Sequence, residues 1–302
     1  MSGWQTQDIP RQDGKTAVIT GANSGIGYYT ALELARAGAR VVIGCRDAAR
    51  GEAALKALRE GSGGQVELVA LDLASQASVR AFAAEVQAAH PRVDLLINNA
   101  GVMAMPRREV TVDGFERQFG TNVLGHFALT GLLWPALAAS PAARVVTVSS
   151  MMAWVARIDL DDLQSERRYS PMGTYSRTKL ADLIFTLELQ RRAAGTSVIS
   201  VASHPGGSTT NLQRHSFDGL MKLVGQSAAD GALPSLYAAT AADVRGGEYF
   251  GPRGWFGARG APGRARVPRR ARDERIAAGL WDRLEQLTGV RLDPARTGSR
   301  AA

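Results

Sequence analysis

Short runs of β-branched residues alternate with longer segments of helical periodicity through most of this chain. Parallel strands need long crossover connections, usually helices, so the alternation predicts a parallel sheet. We expect an α/β fold, with one doubly wound sheet and helices on both of its faces in a single domain. Strands are expected at residues 16–20, 40–45, 66–71, 93–97, 144–148 and 197–202, with a short edge strand at 248–250. One helix is expected after the first strand and ends at residue 37. A second helix is expected after the second strand and ends at residue 60. Further helices are expected at 75–89, 112–139, 173–194, 228–242 and 272–287.

Small or polar residues follow the predicted strands at the point where each strand ends. In a parallel sheet these positions meet at one edge, at the crevice where the strand order reverses. We therefore expect the functional groups to gather there. The residues that directly follow a predicted strand are Gly21, Arg46, Asp72, Asn99, Ser150 and Pro205.

The first predicted strand runs into a glycine-rich turn, Gly21-Ala-Asn-Ser-Gly25-Ile-Gly27, and a helix follows it. Strand, glycine turn and helix form the context of a phosphate-binding turn. The helix N-terminus offers free N–H groups, and glycines let a pyrophosphate approach the backbone. This arrangement predicts a Rossmann-type dinucleotide site, although the glycine spacing differs from the common Gly-x-Gly-x-x-Gly.

The end of the second strand indicates which dinucleotide is bound. An acidic residue there binds the ribose 2′-hydroxyl of NAD, whereas arginine accommodates the 2′-phosphate of NADP. Here Cys45 and Arg46 stand at that end, and Asp47 comes only after them. The sequence thus favours NADP(H) over NAD(H). The alternative is that Arg46 simply begins the following helix.

Tyr175 and Lys179 lie four positions apart in a predicted helix over residues 173–194. This spacing places both side chains on one helix face. A neighbouring cation favours the ionised form of a phenol and would help Tyr175 to exchange a proton. A solvated helix face would show the same spacing, so the pair gains weight only beside a cofactor site.

Together these motifs resemble the short-chain dehydrogenase/reductase family from about residue 15 to residue 210, and within it the retinol dehydrogenase-like group. The resemblance to the family is carried by residues 20–27, 98–101, Asn122, Ser150, Tyr175 with Lys179, and residues 205–206. The resemblance to the retinol dehydrogenase-like group is carried by residues 44–46, 162–169 and 204–206.

The resemblance implies a catalytic set of Asn122, Ser150, Tyr175 and Lys179. Tyr175 would act as general acid or base, and Ser150 would hold and polarise the substrate oxygen. Lys179 would bind the nicotinamide ribose and favour ionisation of the Tyr175 phenol. Asn122 would support a water-linked proton relay through Lys179.

The resemblance also implies a set of cofactor-binding residues. Asp72 and Leu73 would contact the adenine, Asn99 the adjacent ribose, and Gly206 with Thr210 the nicotinamide side. Ser208 stands where the family usually has an apolar residue. The full set is Gly21, Asn23, Ser24, Gly25, Ile26, Gly27, Arg46, Asp72, Leu73, Asn99, Ala100, Gly101, Tyr175, Lys179, Pro205, Gly206, Ser208 and Thr210.

The substrate region is less well indicated. Residues 207–227 mix apolar and polar residues, as a flap over a site would. Several apolar residues after the strand ends would form a lipophilic pocket or, equally, pack under loops. These are Met103, Met105, Met151, Met152 and Trp154. The domain is expected over residues 15–290, with a polar leader at 1–14 and a flexible tail at 291–302.

Composition excludes several classes of protein. Cys45 is the sole cysteine, so the chain forms no intrachain disulfide. The polar first residues do not suggest a signal peptide, and no apolar run reaches membrane-spanning length. We therefore expect a cytoplasmic protein without a membrane partner. His126, His204 and His215 lack metal-ligand spacing, and no metal is expected.

The net charge of +8 is concentrated near the C-terminus. Residues 253–275 contain eight arginines against Asp273 and Glu274. A nucleic-acid site is one interpretation, but no aromatic-interleaved motif accompanies the arginines. We therefore expect a solvated loop and no nucleic-acid partner.

The chain is thus predicted to be an NADP(H)-dependent oxidoreductase that interconverts a carbonyl and an alcohol on a small lipophilic substrate. The alternatives are a non-catalytic dinucleotide-binding sensor and an extended-type sugar-nucleotide epimerase or dehydratase. By resemblance, a homodimer or homotetramer is expected to form through the helices that carry Asn122 and Tyr175.

Overall fold

The computed structural model describes residues 3–207 and 226–294, apart from the side chain of Trp255. The strands in these ranges are β1 (Thr16–Thr20), β2 (Arg40–Cys45), β3 (Val66–Ala70), β4 (Leu95–Asn98), β5 (Ala143–Val148), β6 (Val198–Ser203), β7 (Tyr249–Gly254) and β8 (Arg259–Arg264). They form one sheet in the order β3-β2-β1-β4-β5-β6-β7-β8. All neighbours are parallel except β7 and β8. The order reverses between β1 and β4, which opens the predicted crevice.

The helices lie in two layers, one on each face of the sheet. They are α1 (Gly25–Arg36), α2 (Ala48–Ser62), α3 (Gln76–Ala89), α4 (Gly125–Ala138), α5 (Pro171–Arg192), α6 (Ala228–Thr240) and α7 (Glu274–Thr288). Alternate residues of β1 face opposite cores, with Ala17 and Ile19 packed towards α1, α2 and α6, and Val18 towards the other helices. The predicted doubly wound α/β architecture is confirmed.

The predicted helix over residues 112–139 begins later and is interrupted. It starts with one turn, Arg117–Phe119, continues through a π-helical turn, Gly120–Leu124, and only then becomes α4. The preceding residues form a tight reversal in which Val110 pairs with Glu116 and Gly114 has a φ of +84°. The carboxylate of Glu116 then accepts hydrogen bonds from the backbone N–H groups of Gln118 and Phe119. This cap, rather than periodicity, sets where the helix begins.

The prediction of a solvated loop over residues 253–275 is wrong. Its first part completes β7 and then forms β8, which pairs antiparallel with β7. β7 is therefore longer than the predicted strand at 248–250, and β8 rather than β7 forms the sheet edge. Arg264 on β8 pairs with Asp243 and Glu248. A 3₁₀ turn, Arg269–Arg272, follows before α7.

Candidate active site

The turn between β1 and α1 has the geometry of a phosphate-binding turn. Gly21 and Gly25 have φ values of +69° and +60°, which glycine adopts without strain. A Cβ on Gly27 would come within 2.5 Å of Asn99 Nδ2. Ser24 is the N-cap of α1, but its side chain makes no capping hydrogen bond. The first N–H groups of α1 therefore remain available to an anion, so the turn, with Asn23 and Ile26 in it, fits the cofactor pyrophosphate.

Thr20 connects this turn to the end of β4. Its Oγ1 accepts hydrogen bonds from the backbone N–H groups of Asn99 at 3.0 Å and Ala100 at 2.9 Å. Asn99 Nδ2 donates in return to Thr20 O at 2.8 Å. A Cβ on Gly21 would lie 2.8 Å from Ala100 Cβ. The two strand ends are therefore held together, and Asn99 and Ala100 lie beside the glycine turn.

Arg46 lies at the end of β2 and is exposed. Asp47 is the N-cap of α2 and accepts a hydrogen bond from Arg50 N at 2.9 Å. The alternative in which Arg46 begins the helix is wrong, because α2 begins at Ala48. Within residues 3–207 and 226–294, no ion pair or hydrogen bond holds the Arg46 side chain. Its guanidinium is thus available to a ligand at this strand end.

Asp72 and Leu73 follow β3 but have different surroundings. Asp72 is half-buried, and its Oδ1 accepts a hydrogen bond from Ala74 N at 3.0 Å. Leu73 is buried in the core. A Cβ on Gly125 would come within 2.5 Å of Leu73 O, so α4 approaches closely here. Leu73 therefore positions α4, whatever contact it makes with a cofactor.

Tyr175 and Lys179 lie one turn apart near the beginning of α5. Ser170 caps this helix, and its Oγ accepts a hydrogen bond from Gly173 N at 3.1 Å. The Tyr175 and Lys179 residues are buried, with 6% and 5% of their surface exposed. Lys179 Nζ lies 5.9 Å from the centre of the Tyr175 ring. The two groups thus share one small volume, as their spacing predicts.

Asp182, which the sequence analysis did not single out, is the direct partner of Lys179. Lys179 Nζ donates to Asp182 Oδ2 and to Val148 O, each at 2.8 Å. Since an ammonium has three protons, one donor remains for another partner. The signal was present in the sequence, because a residue three positions after Lys179 shares its helix face.

The charges of this pair follow from burial and mutual attraction. Burial alone would lower the pKa of Lys179, but the negative charge of Asp182 opposes it and the pKa is raised. Burial raises the pKa of Asp182 to about 6 against the attraction of Lys179. Both groups are therefore ionised at neutral pH, and a fully buried lysine keeps its positive charge beside Tyr175.

Ser150 begins a 3₁₀ turn, Met151–Val155, at the end of β5. Its Oγ accepts a hydrogen bond from Met152 N at 3.2 Å. The neighbouring Ser149 is buried, and its Oγ donates to Lys179 O at 2.6 Å, which fixes the end of β5 against α5. Ser150 is only half-buried. Of the two hydroxyls, that of Ser150 is therefore the one accessible to a substrate.

Asn122 lies in the π-helical turn and joins two parts of the site. Its Oδ1 accepts a hydrogen bond from Val102 N at 2.8 Å, and a Cβ on Gly101 would lie 3.2 Å from the same oxygen. Its Nδ2 donates to Val102 O at 3.0 Å and to Thr178 Oγ1 at 3.1 Å. The side chain thus holds the segment after β4 against α5. It makes no direct contact with Lys179, and the water-linked relay stays a prediction.

His126 is a second buried residue that the sequence analysis did not assign to the site. Its Nδ1 lies 2.9 Å from Asn122 O, and its Nε2 lies 2.9 Å from Thr20 Oγ1. Burial lowers the pKa of His126 to about 3, so the ring is neutral. Because a carbonyl can only accept, Nδ1 carries the proton and Nε2 accepts from the Thr20 hydroxyl. His126 therefore connects the glycine turn to the π-helical turn.

The segment after β6 is tightly constrained. Gly206 has a φ of +65°, and a Cβ there would lie 2.3 Å from Ala258 O. Gln226 Nε2 donates to Pro205 O at 2.9 Å. Burial lowers the pKa of the preceding His204 to about 4, so this ring is also neutral. The predicted contacts of Ser208 and Thr210, and nearly all of the predicted flap, lie outside the described residues.

Comparison with known proteins identifies this arrangement. The family model described as short chain dehydrogenase matches residues 15–220. Mouse retinol dehydrogenase 14 is 44% identical over 299 residues, which cover 92% of this chain and 86% of that protein. The chain belongs to the short-chain dehydrogenase/reductase family. The predicted resemblance, including the retinol dehydrogenase-like group, is confirmed.

Two solved structures support the assignment. An uncharacterised protein from Mycobacterium paratuberculosis is 47% identical, with a TM-score of 0.83 over 96% of this chain and 99% of its own. A candidate NAD(P)-dependent gluconate 5-dehydrogenase from Beutenbergia cavernae, solved with NADP, is 29% identical, with a TM-score of 0.65 over 79% of this chain and 95% of its own. As a short-chain dehydrogenase/reductase, the protein is an NAD(P)-binding oxidoreductase that interconverts an alcohol and a carbonyl. The sensor and epimerase alternatives are not favoured.

The described helices and polar side chains bear on two further kinds of partner. No helix in the described ranges is long and apolar enough to cross a membrane. Those same ranges contain no group of three or more His, Cys, Asp or Glu side chains that could hold a metal ion.

Proposed function

We propose that this short-chain dehydrogenase/reductase reduces the carbonyl group of a lipophilic substrate with NADPH, or oxidises the corresponding alcohol with NADP. The observation that carries the proposal is the buried cation of Lys179, held 5.9 Å from the Tyr175 ring next to the end of β5 that carries Ser150. When bound, the nicotinamide cofactor supplies or accepts the hydride. The chain's own residues must then handle the substrate oxygen and its proton.

In carbonyl reduction, Tyr175 donates its phenolic proton to the substrate oxygen, and an alcohol leaves. The Ser150 hydroxyl donates a hydrogen bond to the same oxygen and stabilises the negative charge that develops on it. Lys179 stabilises the tyrosinate that remains and directs its spare N–H to the cofactor ribose. Asp182 acts through Lys179 by keeping that ammonium charged.

The preference for NADP(H) rests on Arg46. Its guanidinium is exposed at the end of β2 and free of partners in the described structure, and Asp47 is engaged as the cap of α2. A guanidinium forms strong paired hydrogen bonds to phosphate, whereas a carboxylate at this strand end would repel it. The NADP bound to the gluconate 5-dehydrogenase relative is consistent with this preference.

The test is NADPH and NADH oxidation with a panel of aliphatic, aromatic and terpenoid carbonyls. Wild type should turn over with NADPH, and Tyr175→Phe should lower kcat by about 10²- to 10⁴-fold. Arg46→Gln should raise the KM for NADPH by about tenfold or more and leave that for NADH little changed. Full activity in Tyr175→Phe would overturn the mechanism. A wild-type preference for NADH would overturn the role of Arg46.

The expected homodimer or homotetramer needs a free surface on α4 and α5. The chain's own α7 covers both helices, since the Trp281 ring packs 5.2 Å from that of Phe127 on α4 and 6.0 Å from that of Phe185 on α5. Val290 and Leu292 are also buried, so packing continues past residue 290 into the predicted tail. Any oligomer of this chain would therefore use another surface or displace α7. Light scattering of wild type would show whether an oligomer forms. The cytoplasmic location is retained as a proposal, to be tested by fractionation.

A further inference from the structure

A cavity of about 770 Å³ lies beside the turn that Ser150 begins. Trp154 forms one wall, and the segment from Ala265 to Arg270, with Arg272, forms the rest. The cavity is not lined by Met103, Met105, Met151 or Met152, for which the sequence left a lipophilic pocket and packing under loops equally open. Its volume falls within the range of small-molecule sites.

The charge of the cavity wall is uncompensated. Arg266, Arg269, Arg270 and Arg272 line it, and no carboxylate does. Arg270 donates to Ala156 O at 3.0 Å. In the described parts of the chain, Arg266, Arg269 and Arg272 form no ion pair. Arg264, only two residues before Arg266, pairs with both Asp243 and Glu248. Arg264 is therefore neutralised by carboxylates, whereas Arg266, Arg269 and Arg272 remain available to an anion.

The nearest acidic residue in sequence does not change this balance. Asp273 follows Arg272 directly, but it is the N-cap of α7, and its Oδ1 accepts a hydrogen bond from Ile276 N at 3.1 Å. Asp273 lines a second, smaller cavity with Arg157 and Leu180, and Arg270 lines both cavities. The carboxylate of Asp273 thus caps a helix and lines the second cavity rather than the first.

Trp154 connects the cavity to the turn that Ser150 begins. Trp154 is the fourth residue after Ser150 in one 3₁₀ turn, and a rise of about 2 Å per residue places their backbones about 8 Å apart. Both the Met151–Val155 turn and the Arg269–Arg272 turn contact α5, the helix that carries Tyr175. A substrate whose carbonyl meets Ser150 would therefore extend past Trp154 towards the arginines.

We infer that the substrate is an anionic amphiphile: an apolar chain with the reacting carbonyl at one end and a carboxylate or phosphate at the other. This inference rests on the proposed function. The arginines bind the anionic group, because a guanidinium matches both carboxylate and phosphate oxygens in paired hydrogen bonds. Trp154 and Val267 contact the apolar chain. Neutral substrates of the same length bind without these contacts and are used less efficiently.

The test compares decanal with ω-oxodecanoic acid, which differs from it by a terminal carboxylate. Wild type should have the higher kcat/KM for the acid. In Arg269→Gln/Arg272→Gln the ratio of kcat/KM for acid to aldehyde should fall by about tenfold. Arg283→Gln removes the same charge from α7 outside the cavity and should leave the ratio unchanged. Equal wild-type use of the two substrates, or an unchanged ratio in the double variant, would overturn the inference.

Binding without turnover separates this inference from the proposed function. Decanoate and decyl phosphate are titrated calorimetrically into the protein, with decanol as the neutral control. Binding of either anion, lost in Arg269→Gln/Arg272→Gln and kept in Arg283→Gln, supports the cavity even if no carbonyl is reduced. The tighter anion identifies the head group. No binding of either anion overturns the inference, while turnover of decanal would leave the proposed reaction intact.

Discussion

α5 holds two carboxylates paired with cations, one in the middle of the helix and one near its end, in different surroundings. In the middle of the helix, Asp182 pairs with Lys179, and both side chains are almost fully buried, at 3% and 6% exposed. Near the end, Glu188 is equally buried, but its partners Arg191 and Arg192 are 57% and 30% exposed. Solvent can therefore replace the partners of Glu188 but not the partner of Asp182.

This difference in solvent access changes the electrostatics of the two pairs. Burial would raise the pKa of Glu188, but hydrogen bonds from Arg191 and Arg192 outweigh it and the pKa is lowered. Those arginines also reach water, so the pair contributes little net stability. In the middle of α5, Lys179 is almost fully buried, and its charge depends on Asp182. The buried pair thus lies beside Tyr175, where the proposed mechanism uses a cation.

The largest expected effect concerns what holds the end of α5. Arg192 lies 4.5 Å from the Trp281 ring, and Trp281 is itself 1% exposed. Trp281→Ala should lower the free energy of unfolding by about 3–5 kcal/mol through the cavity it leaves. Trp154→Ala, at a half-exposed ring, is the matched control and should cost far less. Urea unfolding measures both, and equal losses would show that α7 does not anchor this end.

The next effect concerns the buried pair of Asp182 and Lys179. Asp182→Asn leaves Lys179 buried without a counter-charge and should cost about 3 kcal/mol of unfolding free energy at neutral pH. Without Asp182, burial lowers the pKa of Lys179 below its unfolded value. The native state then resists a proton that the unfolded chain binds, so stability lost at neutral pH returns as the pH rises towards about 10.

The control for this variant is Glu188→Gln, which removes the carboxylate charge near the end of α5. It should cost about 1 kcal/mol or less. The kinetic readout is carbonyl reduction followed against pH, because loss of the Lys179 proton should add a fall in activity on the alkaline side. Neither Glu188→Gln nor wild type should show this fall. Identical pH profiles for all three proteins would contradict the role given to Asp182.

The smallest effect concerns His126, which is buried near the Lys179–Asp182 pair. His126 lies in the same interior, where burial, together with the charge of Lys179, keeps its pKa at about 3. Below about pH 6.5 the unfolded chain binds a proton that the native state excludes, so stability falls by about 1.4 kcal/mol per pH unit as the pH drops. His126→Gln should lower by one the number of protons taken up on unfolding in this pH range. His126→Gln/His204→Gln should lower it by two. The free energy of unfolding is measured against pH for each protein. If it falls with the same slope in the variants as in wild type between about pH 6.5 and 5, the prediction is contradicted.

Local chemistry explains which parts were predictable. The glycine turn needs positive φ at Gly21 and Gly25, and a residue type with that freedom can be recognised without knowing its neighbours. The spacing of Tyr175 and Lys179 follows from helix geometry alone. Asp182 was equally visible on the same face. It was missed because its importance depends on burial, which the spacing does not reveal.

Long-range packing explains what was mispredicted. Periodicity extended the helix of Asn122 back to residue 112, since it could not show that Val110 pairs with Glu116 and that the Glu116 carboxylate caps the helix. The arginines of residues 253–275 suggested a solvated loop, because a segment rich in arginine and glycine has a low intrinsic preference for the strand conformation. β8 exists because β7 offers it an open edge.

The sequence by itself determined the alternating α/β fold, the position of the cofactor turn and the Tyr175–Lys179 pair. Each of these depends on residues within one element or one turn, where backbone geometry dictates the outcome. Only the tertiary structure decided that Lys179 is paired with a buried Asp182, that α7 covers α4 and α5, and that four arginines surround a cavity beside Trp154. Burial, pairing partners and cavities arise where distant segments meet, so their energies are set by the packed chain and not by any segment alone.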